Sequence, residues 1–439
     1  MPHRSLASLV VIASLALGAC ATTNTQLSTN SARSSGGGVG GRQRSVQGAE
    51  FRVVGRADGS GDAYDARLLF ERASVALQTR RFDDAITDFT RLTREFASSP
   101  LLAAAHFNIG QAQQASGRHA EAIAAYTLAA TAAAQGGNHD LARDGWFRVA
   151  AVSESANRAR EIVTATDRVL GIPRLSLIDR VEALGRQSAA QLALGDRAAA
   201  TRAAQDAVSL VPTAEAVAAL GDDTYIAQAR FVLGEVSRQQ AAEIVLRVDD
   251  TASAIDLAIE RRVQHVVHGH VLFNDAIRVG NPHWAAAAGF SIGEMYRSLW
   301  LSIVGAQLPC DWEEPAIRLY RDRTANNRRL RILLQGSLRA FEATISMARR
   351  NAIADNTWAQ RAQAQLDEIQ QFVLRGPGPE LYRRSPECSA ASGPTSSDAG
   401  VASVDASAAD ASVSLNADGA VSSSGASAAD AGPTLVRRR

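Results

Sequence analysis

The chain has 439 residues, 46% hydrophobic, 21% charged and only 5% aromatic; that length holds two or three ordinary domains or one elongated repeat array. Its 46 basic against 45 acidic residues leave a formal charge of +1, so no global field favours nucleic acid or an anionic surface. Every base is arginine, which excludes phosphate-loop lysines, Schiff-base lysines and Ser–Lys dyads.

Residues 1–19 read as a secretory signal. Arg4 lies beside the amino terminus, and Leu6 to Leu17 is apolar apart from small residues. That run is too short for a bilayer span, which needs about 20 apolar residues, and suits a signal-peptide core. It ends in Leu17-Gly18-Ala19-Cys20, which resembles the lipobox of bacterial lipoproteins. The resemblance implies cleavage before Cys20 and acylation of its thiol, fixing a soluble body to a membrane. Ala21 follows, rather than the Asp linked to inner-membrane retention, so outer-membrane attachment is expected.

Residues 20–62 are rich in Ser, Thr, Gly, Gln and Asn without apolar periodicity and read as a flexible tether. Within them Gly36-Gly37-Gly38-Val39-Gly40-Gly41 contains the spacing G-x-G-x-x-G. It has neither a strand before it nor a helix after it, so it reads as linker rather than a dinucleotide site.

From residue 63 to 375 apolar residues recur every three or four positions, helix after helix. Phe107-Asn108-Ile109-Gly110 opens one helix, Gly117-Arg118-His119 turns it, and Ala122, Tyr126 and Ala129 mark a second. Phe70 and Ala73, then Ala85, Phe89 and Leu92, repeat the pattern 37 residues earlier. This resembles the tetratricopeptide repeat (TPR), whose helical hairpins need small residues where backbones cross and an aromatic between them. Weaker units follow at Phe147–Ala150 with Ile162 and Val169, and at Leu184–Ser188 with Ala200, Ala204 and Ala207. The expected fold is therefore all-α: TPR hairpins over 63–212, a degenerate TPR-like region with long helices over 213–375, and a disordered tail over 376–439. In the later region Phe231–Gly234 and Phe290–Gly293 look like first helices, and two long capping helices are expected from Pro315 to about Arg375, with a break near Asn351. From 385 onward the tail is Ala, Ser, Asp, Gly and Val without an aromatic, ending Arg437-Arg438-Arg439, too little apolar surface to offset ordering entropy.

The 37-residue period and the linker Arg94-Glu95-Phe96-Ala97-Ser98-Ser99-Pro100 resemble envelope TPR proteins, such as those linked to Tol-Pal and to outer-membrane barrel assembly. The lipidated layout also resembles surface-motility proteins. The resemblance implies a non-catalytic scaffold that binds periplasmic or outer-membrane proteins and needs no cofactor. A ligand-binding lipoprotein that captures a glycan or other small solute is the alternative.

Phe70, Phe107, Phe147, Phe231 and Phe290 each sit three residues before the small residue of a first helix. In TPR proteins that position tends to face the concave groove, where a Phe row suits an apolar peptide; the other reading covers the rings with neighbouring helices. Phe there also disfavours the charged clamp some TPR domains close on a terminal carboxylate. Arg318, Arg321, Arg328, Arg329 and Arg339 fall on one side of a presumed continuous helix, opposite Leu319, Leu330, Leu334 and Phe341. They form either a solvated basic face or a contact for anionic head groups or an acidic partner. Cys310 and Cys388, the only cysteines besides Cys20, are either a disulfide across an oxidising compartment or free thiols. His265, His268 and His270 share a helix with 200° between the last two at 100° per residue, so they do not converge on a metal. No H-E-x-x-H, C-x-x-C, G-x-S-x-G or Walker loop occurs, and no catalytic residue is expected.

Overall fold

The computed structural model describes residues 52–55, 61–248, 252–351, 357–375, 381–382 and 388. The signal segment, Cys20 and nearly all of the tail lie outside them, and so do the expectations of lipidation and disorder. Among the described residues are fifteen helices and one antiparallel strand pair, in two compact units, Met1–Val232 and Leu233–Arg439.

In the first unit, strands β1 (Arg52–Gly55) and β2 (Gly61–Tyr64) pair with Arg52 opposite Tyr64. Strand β1 and the first half of β2 belong to the stretch read from sequence as tether, and four-residue strands are too short to show an alternation. Tyr64 seals the end of the helical stack: its ring is edge-on to Phe96 and lies under the Arg91 guanidinium, and its hydroxyl donates to Glu95. Asp65 then caps the first helix through Leu68 N.

Four hairpins follow: α1 (Ala66–Gln78) with α2 (Phe82–Glu95), α3 (Leu102–Ala115) with α4 (His119–Gln135), α5 (His139–Ser155) with α6 (Ala159–Leu170), and α7 (Leu177–Ala193) with α8 (Arg197–Leu210). One turn chemistry recurs. Arg80, Gly117, Gly137, Asn157 and Gly195 all have left-handed φ between 53° and 82°. Each donates its N–H three residues back, and the next residue donates five back (Arg81 to Ala76, Arg118 to Gln113, Asn138 to Ala133, Arg158 to Ser153, Asp196 to Gln191). This is the Schellman closure, which satisfies the last carbonyls of a helix and reverses the chain.

The second hairpin is held by a ring against a glycine. A Cβ on Gly110 would lie 2.7 Å from the Tyr126 ring, so that position has to be glycine for α3 and α4 to approach. Phe70 meets Phe89, and Phe107 meets Tyr126, edge-on at 5.3 and 5.2 Å. In the third hairpin the position equivalent to Tyr126 holds the buried Thr166, whose hydroxyl bonds back to Ile162 O, and Phe147 is only half-buried. A short helix α9 (Ala214–Leu220) and α10 (Thr224–Glu243) come next, the boundary between the units falling within α10.

The second unit is built on α12 (Pro282–Val304), which is buried nearly all round and packs against α11 (Ala252–Val279), α14 (Arg328–Arg350) and α15 (Thr357–Arg375). Gly293 takes the Phe341 ring against its backbone, and Gly234 takes that of Phe273. The presumed continuous helix after Pro315 is instead two, α13 (Glu314–Ala325) and α14. Tandem asparagines cause the break. Asn326 Nδ2 donates to Asp322 O at the end of α13, and Asn327 Oδ1 accepts from Arg329 N and Leu330 N at the start of α14.

Candidate functional site

The Phe row does not line an open groove. Phe70, Phe107, Phe231 and Phe290 are at most 5% exposed, which corrects the partner-contact reading and agrees with the one that covers the rings with neighbouring helices. The reason is the three-residue spacing itself. Positions i and i+3 share a helix face, so a small residue that admits the neighbouring helix also turns the preceding Phe towards it. Phe290, likewise, packs on Phe341 and Trp358 and is covered by the Arg361 guanidinium. Phe147 alone is half-buried, packed against the core of its hairpin.

An open feature of the first unit lies beside it. A cleft of about 860 Å³ is bounded by α4, α5 and α6. Its floor is apolar and closely packed: Ile123 from α4 and Trp146 from α5 keep 8% and 9% of their surface exposed, above Val149 of α5 and Ala165 of α6, which are buried beneath them. The rim is polar, with Thr127 and Thr131 on one side and Arg160, Thr164, Asp167 and Arg168 on the other; Ile172 and Pro173 close one end. The volume falls in the range that pockets use for buried ligands, and an apolar floor within a charged rim suits one face of an amphipathic segment. The sequence reading missed it, because Trp146 sits one residue before the Phe it singled out, and the cleft depends on the spacing of two second helices.

A second feature is a buried charge cluster. Arg186 on α7 donates Nη1 to Glu154 of α5, Nε to Glu182 Oε1 at 2.9 Å, and Nη2 to the Tyr225 hydroxyl of α10. Its guanidinium also lies 4.6 Å from the Tyr225 ring centroid. Arg186 and Glu154 side chains are 6% and 7% exposed. Burial opposes the Arg186 charge, but Glu154, Tyr225 and Glu182 outweigh it and raise its pKa; burial also pushes the Glu182 carboxyl up. One side chain thus ties three successive first helices together. Beyond Glu182 on its own helix, its partners are 32 residues before it and 39 after, a separation at which no motif could have linked them.

In the second unit the arginines singled out from sequence divide between two helices. Arg318 and Arg321 are on α13, Arg328, Arg329 and Arg339 on α14, so they do not form the single stripe expected. Arg321 lies over the Tyr382 ring at 5.2 Å; the other four are exposed. Leu319, expected on the buried side, is 51% exposed, since the break at Asn326–Asn327 resets the phase. Cys310 and Cys388 are joined by a disulfide, with Cα atoms 5.1 Å apart.

His265, His268 and His270 are spread along α11. His268 is exposed, and His270 Nδ1 lies 3.1 Å from the Tyr296 hydroxyl. Burial lowers the His270 pKa below its ordinary 6.5. The unfolded chain therefore takes up this proton first, so stability present above that pH is lost as pH falls through the window beneath it. An NMR titration should place the His270 midpoint below about 6.5, and His270→Gln should flatten the pH dependence of stability there. A midpoint at or above 6.5 contradicts this placement.

Residues 70–136 match the family model described as Tetratricopeptide repeat. No curated protein matches the chain. Among solved structures, a tetratricopeptide repeat protein from Parabacteroides merdae is similar at 10% identity with a TM-score of 0.31, over 68% of this chain and 98% of that one. A computationally designed self-assembling cyclic homo-oligomer is similar at 14% identity with a TM-score of 0.23, over 71% and 96%. At those scores neither likeness bears on this chain's function. The Schellman-closed hairpins, the ring-on-glycine crossings and the family match over 70–136 together make this an all-α, TPR-like helical repeat fold.

Proposed function

We propose that this protein is a non-catalytic scaffold that binds a segment of an envelope protein in the α4–α6 cleft. The observation that carries this reading is the cleft itself: an apolar floor within a polar rim, whose α4 wall belongs to the TPR family match and whose α5 and α6 walls follow it. TPR folds generally serve protein–protein interaction, and a rigid hairpin stack presents such a surface without reorganisation. The partner segment that fits is an amphipathic helix or strand whose apolar side covers Trp146 and Ile123. Thr131→Trp and Thr164→Trp place bulk at the rim from exposed positions. Each should cut partner recovery about tenfold, a loss on the order of 1.4 kcal/mol, with unfolding unchanged. Recovery at wild-type level from both variants contradicts the cleft assignment.

Location is part of the proposal and rests on the Leu17–Cys20 sequence. Lipid at Cys20 would hold the scaffold on the periplasmic face of the outer membrane, as two or more acyl chains suffice to do. Cys20→Ala should release the protein from that membrane; continued co-fractionation rejects lipid anchoring and leaves the cleft untouched. A saturable thermal shift with envelope glycans, in the absence of any protein partner, would favour the solute-capture alternative.

A further inference from the structure

Helix α14 carries a charge imbalance that nothing among the described residues answers. Its buried side holds Leu330, Leu334, Ser337, Phe341, Thr344, Ile345 and Ala348. At 100° per residue the opposite side carries Arg328, Arg339 and Arg350, with Arg329, Arg331 and Arg349 on its flanks, against the single acid Glu342 and with Ile332 exposed among them. Arg318 and Arg323 are exposed on the preceding α13. These arginines form no ion pair with a described residue, whereas most of the guanidinium groups of the first two hairpins find a carboxylate. A row of unpaired like charges along a helix is unfavourable in itself.

The complementary charge is in the same chain. Between residues 389 and 436 the sequence has five acids, Asp398, Asp405, Asp410, Asp418 and Asp430, and no base; Arg437-Arg438-Arg439 follow the stretch and leave it two acids in excess. That segment begins at Cys388, which is bonded to Cys310, four residues before α13 opens at Glu314. The disulfide therefore fixes where the acidic segment starts, beside the arginine-bearing helices. Helix α13 is about 18 Å long and α14 about 35 Å. The ten residues from Cys388 to Asp398 span at most about 35 Å, and the further residues to Asp430 far exceed the length of α14.

We propose that the acidic stretch Asp398–Asp430 docks on the arginine face of α14 within the same molecule. Single exposed Arg–Asp contacts are weak and screened, so the stretch is held by several at once. Tethering raises its local concentration to the millimolar range, above that of a free acidic competitor. The docked tail covers Ile332 and neutralises part of the face. Its seven-, five-, eight- and twelve-residue spacings require no fixed register.

The absence of lysine gives a direct test on the full chain. Arg331→Lys or Arg339→Lys introduces a unique side-chain amine, which a carbodiimide condenses with any carboxylate in contact, the reagent taking up the water lost. Arg202→Lys, at an exposed site of the first unit, is the control. At about 0.01 M salt, where charges act over about 30 Å, mass spectrometry should find links from position 331 or 339 to the aspartates of 398–430. Their yield should fall about tenfold at about 1 M salt, where that range is about 3 Å. Links to Glu342 alone overturn the proposal, as does a tail yield equal to that of the Arg202→Lys control. Links that form between molecules and rise with protein concentration also overturn it, assigning the face to a second copy.

Discussion

Arg186→Leu should destabilise the first unit by about 3–5 kcal/mol, because it leaves Glu154 and Glu182 without their shared cation in a site shielded from water. The thermal transition of that unit should drop by about 10 °C. Replacing all three by leucine (Glu154→Leu, Glu182→Leu, Arg186→Leu) should recover most of the loss, since a buried ion cluster is often no more stabilising than apolar groups of similar volume. Tyr225 would lose its Arg186 partner but keep its place over Gly185, where a Cβ would lie 2.6 Å from the Tyr225 carbonyl oxygen. Urea unfolding followed by circular dichroism measures both variants. A single-variant cost below about 1 kcal/mol would mean that the cluster is solvated and does not tie α5, α7 and α10 together.

The second large effect is expected at the crossing of α3 and α4. Tyr126 is fully buried, lies on Gly110 and Phe107, and donates its hydroxyl to Gln114 at 2.9 Å. Tyr126→Ala should cost about 3–5 kcal/mol, from lost burial and the cavity left behind. Gly110→Leu should cost about 1–3 kcal/mol or more in the native background, since its side chain meets the ring at once. Combined, the two should cost less than their sum, because the leucine enters the space the ring vacates. A double-mutant cycle on unfolding free energies reads this directly; strict additivity would show that the ring and the glycine are not one packing unit. The same arrangement at Gly293 with Phe341 and Gly234 with Phe273 makes it the recurrent joint of both units.

These joints explain what could be read ahead of the structure. The Phe-x-x-small spacing and Gly117 marked helices and a turn correctly, because each reports a local physical need: close crossing or left-handed backbone. The turns at Arg80 and Asn157 gave no glycine signal, yet they close with the same hydrogen bonds. The break at Asn326–Asn327 was hidden by arginines that continue through it on both sides. Site reading fared less well. Of the two readings left open for the Phe row, burial against neighbouring helices describes Phe70, Phe107, Phe231 and Phe290, because their spacing from a small residue turns them into the hairpin joint. The cleft over Trp146 and the Arg186 cluster each draw on three helices, and one-dimensional spacing carries no information about such convergence.

The measurement that bears most directly on the scaffold reading is site-specific photocrosslinking in living cells. A photoreactive side chain at Thr164, on the exposed rim of the cleft, should yield one discrete protein adduct, and Thr131→Trp in the same molecule should abolish it. The same probe at Arg202, away from the cleft-lining residues, should yield none. No adduct from Thr164 would contradict binding in the cleft, and so would an adduct that survives Thr131→Trp.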